Sequence, residues 1–111
     1  DQTYVHREIM RGTMTPEQAK VDPKRNMLLQ CVGASKNVEP ALYYGKTLPG
    51  AYMLCSDGFR HEISPKEIYE SLNPVNLVNK NAMHSNCKYL IDLVKSRKER
   101  DNISVILVKA E

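Results

Sequence analysis

The sequence predicts an α+β fold, on three observations. Two apolar runs, Ala51–Ser56 and Ile103–Val108, carry the length and the β-branched or aromatic content of strands. Helix-start patterns occur at Thr15-Pro-Glu-Gln18 and Ser64-Pro-Lys-Glu67, each a hydroxyl followed three residues later by Glu or Gln. A further stretch, Ser85 to Lys98, places Tyr89, Leu90, Leu93 and Val94 at three-and-four spacing, the mark of an amphipathic helix. At 111 residues, 41% hydrophobic and 26% charged, the composition is that of one ordinary globular domain, residues 1–111, with a modest core.

Taken in order, Tyr4, Val5, Ile9 and Met10 fall on one side of a short helix that Gly12 stops. The Thr15 helix runs to about Lys20 and ends at Asp22-Pro23. Met27–Val32, closed by Gly33, and the shorter Ala41–Tyr44 read as strands, and with Ala51–Ser56 they suggest an antiparallel meander. The Ser64 helix reaches about Leu72, and Asn73-Pro74 opens another helical turn through Leu77 and Val78. The basic residues Lys95, Arg97, Lys98 and Arg100 at the end of the last helix complement the negative end of its dipole, which explains them more simply than a phosphate-binding patch does.

Several function classes recede on composition. The net charge of +3 is mild and lacks the clustered basic stripe of a nucleic-acid binder. No apolar run is long enough to span a membrane, and the N-terminal residues do not form a leader pattern, so a cytoplasmic protein is expected. Cys31, Cys55 and Cys87 are far apart and odd in number, which argues for buried reduced thiols rather than disulfides or a zinc site. The scattered His6, His61 and His84 offer no paired metal ligands. There is no glycine-rich phosphate loop and no nucleophile elbow.

The chemistry concentrates in Ala51-Tyr-Met-Leu-Cys-Ser-Asp-Gly-Phe59. The apolar half reads as a strand covered on both faces, and the run then halts on Asp57 and Gly58. A carboxylate at the end of a rigid strand suits a hard cation, with Gly58 allowing a sharp turn and Ser56 capping or orienting it. The ordinary alternative is a strand-to-turn junction with a solvated Asp57. The final strand has its carboxylate, Asp101, at its start. If the two strands pair antiparallel, Asp57 and Asp101 share one edge, where two like charges call for a cation between them.

Leu54-Cys-Ser-Asp-Gly-Phe59 together with Asp101-Asn-Ile-Ser-Val-Ile-Leu-Val108 resembles the two late motifs of the PP2C-type metal-dependent serine/threonine protein phosphatases. The resemblance takes in Arg25–Gly33, similar to the family's bacterial members, and the stretch from Asp1-Gln-Thr-Tyr4 to Ala19. It implies a four-layer α-β-β-α sandwich with mostly antiparallel sheets, and two Mn²⁺ or Mg²⁺ ions that activate water against phosphoserine or phosphothreonine. By resemblance, Asp57 and Asp101 are metal ligands, Asn102 orients the second, and His61 stands where relatives carry a further aspartate, which puts a third metal in doubt. The family's early acidic motifs and phosphate-binding arginine are missing, so the chain is expected to be the C-terminal half of a phosphatase, inactive alone, whose substrates are phosphoproteins of a serine/threonine kinase. The rival expectation is a non-catalytic interaction module that covers its exposed sheet by self-association.

Overall fold

The computed structural model describes residues 2–111; of the stretch Asp1–Tyr4, Asp1 lies outside the described residues. The chain gathers into two compact units, Asp1–Tyr44 and Gly45–Glu111. No helix among the described residues is long and apolar enough to cross a membrane.

In the first unit, α1 (Tyr4–Met10) starts because the Thr3 hydroxyl accepts the His6 N–H at 3.2 Å. It ends because Gly12 adopts a left-handed φ of 75°, which lets the Thr13 N–H reach back to the Glu8 carbonyl at 3.0 Å. Helix α2 (Pro16–Val21) opens on the full reciprocal capping box of Thr15 and Gln18 and stops at Asp22. Val5 and Ala19 are the buried apolar residues of this unit.

The two strands expected here do not form. Between Met27 and Val32, only Leu28 makes a bridge, with Thr3; the Tyr4 N–H donates to Met27 and the Leu29 N–H to Gln2. The ladder stops there because the partner backbone turns into α1 at Tyr4. Beyond it, the Gln30 side-chain amide takes over, donating to the Glu39 carbonyl at 2.8 Å and accepting the Glu39 N–H at 2.7 Å. Ala41–Tyr44 is irregular and exposed, with Tyr43 at 93%. A strand without a hydrogen-bonding neighbour has nothing to fix its backbone, whatever its propensity. Cys31, expected buried, is exposed.

The second unit holds a two-stranded antiparallel sheet, β1 (Gly50–Cys55) and β2 (Val105–Ala110), in the register Gly50↔Ala110 to Cys55↔Val105. Of the expected three-strand meander only the third strand forms, and it pairs with the last strand of the chain rather than with Ala41–Tyr44. Nor is β1 covered on both faces: burial alternates along it, and Leu54 is 60% and its partner Ile106 63% exposed. The other face, with Ala51, Met53, Cys55, Val105 and Leu107, packs on the core cluster of Phe59, Ile63, Leu72, Leu77, Leu90 and Val94. Burying these side chains is the dominant favourable term, since each fully buried Leu, Val or Phe is worth about 1.5–3 kcal/mol.

After β1 come α3 (Asp57–Arg60), α4 (Pro65–Leu72) with its expected Ser64–Glu67 capping box, and a 3₁₀ turn at Pro74–Asn76. Helix α5 (Lys80–Ser96) begins five residues before Ser85, because Asn79 accepts the Ala82 N–H at 2.8 Å and caps it. Its buried stripe is Met83, Cys87, Leu90 and Val94, whereas Tyr89 faces out. Burial pushes the Cys87 thiol up from its ordinary value.

The basic end of α5 serves the fold. Arg97 donates to the Glu62 carbonyl at 2.8 Å and grips both carboxylate oxygens of Glu67, the residue that also closes the α4 capping box. The Arg97 guanidinium, helped by the Ser64 N–H, lowers the Glu67 carboxyl from 4.5 to about 2. A carboxylate held down in the folded state adds stability above its unfolded pKa and loses it as pH falls through the folded one. The denaturation midpoint of the parent should therefore exceed that of Glu67→Gln most at neutral pH, and the gap should close as pH drops from 4.5 toward about 2. Urea titrations at a series of pH values measure it; a gap independent of pH contradicts the ion pair.

Candidate functional site

The antiparallel register brings the end of β1 to the start of β2, and the backbone pairing continues past both. The Ser56 N–H donates to the Ser104 carbonyl at 3.0 Å. Its hydroxyl accepts the Ser104 N–H at 3.0 Å and donates to the Asn102 carbonyl at 3.1 Å. Ser56 occupies the N-cap of α3 by its backbone, but its side chain makes no cap hydrogen bond. It staples the two chain segments instead of capping the helix.

Gly58 completes the junction. A Cβ built there would overlap the Asn102 carbonyl oxygen and lie 3.1 Å from the Asp101 Cβ. Its φ is not in the left-handed region, so the need for glycine is one of space and not of backbone conformation. Asp57 immediately precedes this contact and Asp101 forms part of it, which brings both carboxylates to one end of the sheet, as the antiparallel expectation required.

Each carboxylate is oriented by its own local bond. Asp57 Oδ1 accepts the Gly58 N–H at 3.1 Å, and Asp101 Oδ1 accepts the Asn102 N–H at 2.7 Å. Asn102 thus acts on its neighbour through its backbone. His61 closes α3 and faces Glu99, with Nδ1 3.1 Å from Oε2. The other Glu99 oxygen accepts the N–H groups of Arg100 and Asp101, both at 2.9 Å. Those bonds, first that from Asp101, hold the Glu99 carboxyl below its ordinary value. Glu99 carries no motif signature; only the fold shows that it braces the Asp101 segment.

In chemical kind, two carboxylates on strand ends fit a hard divalent cation, which prefers oxygen donors. In number they fall short, since no group of three or more His, Cys, Asp or Glu among the described residues could hold a metal ion. An apolar groove of about 300 Å³ between Ala51, Met53, Ile68, Leu72 and Leu107 includes neither aspartate, so its contents would not meet them.

No family model matches the chain. Its whole length is similar to a putative protein phosphatase 2C-type of Streptococcus pyogenes, 35% identical over 113 aligned residues, which cover 44% of that protein. It is 29% identical to the serine/threonine protein phosphatase PstP of Mycobacterium tuberculosis, over 96% of this chain and 20% of the relative. Among solved structures, the serine/threonine phosphatase of S. agalactiae superposes with a TM-score of 0.83 at 28% identity, over all of this chain and 44% of the other. The M. tuberculosis PstP/Ppp structure gives 0.75 at 28%, covering 45% of it. The chain is thus similar throughout to bacterial PP2C-type serine/threonine phosphatases, and spans less than half the length of these relatives.

Gly58→Ala should lower unfolding stability by about 2–3 kcal/mol through overpacking against backbone that cannot retreat. Gly45→Ala, with nothing within 4 Å of the added methyl, should stay within about 0.5 kcal/mol of the parent. Equal effects in denaturant titrations would show that the close approach is not there.

Proposed function

We propose that this chain is the C-terminal portion of a PP2C-type phosphatase domain that removes phosphate from phosphoserine and phosphothreonine in proteins, and that Asp57 and Asp101 are two of its metal ligands. The observation that carries the reading is the antiparallel junction itself, which sets these two aspartates at one sheet end in a chain similar throughout to such phosphatases. Mn²⁺ or Mg²⁺, two in the complete domain, would supply Lewis acidity toward the phosphoryl oxygens and lower the pKa of the attacking water. The chain's own residues contribute orientation: Gly58 and Ser56 hold the two segments together, and the Asn102 N–H aims the Asp101 carboxylate. His61 is engaged with Glu99, which supports leaving it out of the ligand set.

The same reading accounts for the apolar outer face of the sheet, where Tyr52, Leu54, Ile106 and Val108 are exposed. In a four-layer sandwich this face meets a second sheet, supplied by the rest of one phosphatase domain. The substrates are phosphoproteins, those of a serine/threonine kinase, and the compartment is the cytoplasm, in keeping with the free Cys31, Cys55 and Cys87. The exposed face also favours a second reading, a non-catalytic module that covers it by self-association.

With too few ligands for a dinuclear centre, the 111-residue chain alone should release phosphate from p-nitrophenyl phosphate with Mn²⁺ only at background rate. Turnover that is robust, abolished by chelator and lost in Asp57→Asn would overturn the inactivity while supporting the ligand assignment. Light scattering separates the second reading: self-association lost on Leu54→Lys with Ile106→Lys favours the interaction module, whereas a concentration-independent monomer counts against it.

A further inference from the structure

Glu99 has a charged side chain only 9% exposed, and both of its oxygens are occupied. Its position follows from how α5 ends. Lys98 takes a left-handed φ of 66°, and the Lys98 and Glu99 N–H groups return to the Lys95 and Val94 carbonyls. A non-glycine residue in that conformation is strained and must be held by its surroundings. The turn delivers Glu99 directly before Arg100 and Asp101, in a segment without ladder bonds of its own ahead of β2.

One oxygen, Oε1, accepts the consecutive N–H groups of Arg100 and Asp101, at 2.9 Å each, which fixes the backbone that presents the Asp101 side chain. The other, Oε2, meets His61 at the end of α3, the helix that Asp57 begins. A single carboxylate therefore links the chain on either side of the candidate site: α3, which starts at Asp57, and the turn that ends at Asp101.

We propose that Glu99 is a positioning residue that sets the placement of the Asp101 carboxylate relative to Asp57, by holding the Arg100 and Asp101 N–H groups and tying them through His61 to α3. Its effect on a bound cation rests on the ligand assignment made above, whereas its effect on the backbone does not. Glu99 is no ligand itself, because its oxygens are already engaged.

The test uses Glu99→Ala, Glu99→Gln, Asp57→Asn and Asp101→Asn in the 111-residue chain. Glu99→Gln keeps a carbonyl oxygen for the two N–H groups, and circular dichroism verifies that each variant folds. Without metal, amide hydrogen exchange at Asp101 should quicken about tenfold in Glu99→Ala and stay near the parent rate in Glu99→Gln. With Mn²⁺ as the probe, paramagnetic broadening around Asp57 and Asp101 should need about tenfold more ion in Glu99→Ala, close to the parent amount in Glu99→Gln, and show no added loss from Glu99→Ala in an Asp101→Asn background. Unchanged exchange in Glu99→Ala overturns the proposal. So does an equal loss of Mn²⁺ binding with and without Asp101, or an equal loss in the Ala and Gln variants. If Asp57→Asn and Asp101→Asn both leave the broadening as it was, the ligand assignment fails instead, and the exchange rates alone still decide whether Glu99 holds the Asp101 backbone.

Discussion

The second unit depends on one close approach, that of the Gly58 backbone to Asn102. Without a Cβ at position 58, α3 can sit directly on the segment leading into β2. That approach brings Asp57 and Asp101 to one end of the sheet, lets Phe59 turn inward to become fully buried, and keeps the Ser56 hydroxyl within reach of Ser104 and Asn102. Protein interiors are packed about as densely as organic crystals, so an added methyl at such a contact cannot be accommodated cheaply.

Around that contact, the charged residues form braces between elements. Glu67 caps α4 and grips Arg97 at the end of α5, and Glu99 joins the end of α3 to the turn before β2. Each carboxylate takes several donors, which suits a small unit whose apolar core is modest and whose loops have few ladder bonds. The cluster of basic residues after Leu93 is explained in part by this arrangement, since Arg97 is drawn into it.

The sheet consists of the two strands β1 and β2. Two strands make a marginal sheet unless one face is packed, and here the helices pack one face while Leu54 and Ile106 stay open on the other. The continuous apolar character of Ala51–Ser56 suggests burial on two sides, and the described residues cover one.

Local signals were readable in the sequence wherever the partners lie a few residues apart. The capping boxes at Thr15 and Ser64 and the stop at Gly12 appear as read, and the last strand forms two residues later than Ile103–Val108, at Val105–Ala110. The motif residues Asp57, Gly58 and Asp101 were visible too, though not why glycine is needed. What the sequence could not determine was whatever required a distant partner. Met27–Val32 has strand propensity but finds only the Leu28 bridge to Thr3, Ala41–Tyr44 finds no strand partner, Tyr89 shares helical spacing with Leu90 yet faces out, and Glu99 looks like one more surface charge until the fold brings His61 to it. Caps and turns close over three or four residues, so the local order of residues encodes them. Strand pairing, burial and the contact of His61 with Glu99 join residues tens of positions apart, and only the tertiary structure decides which of them meet.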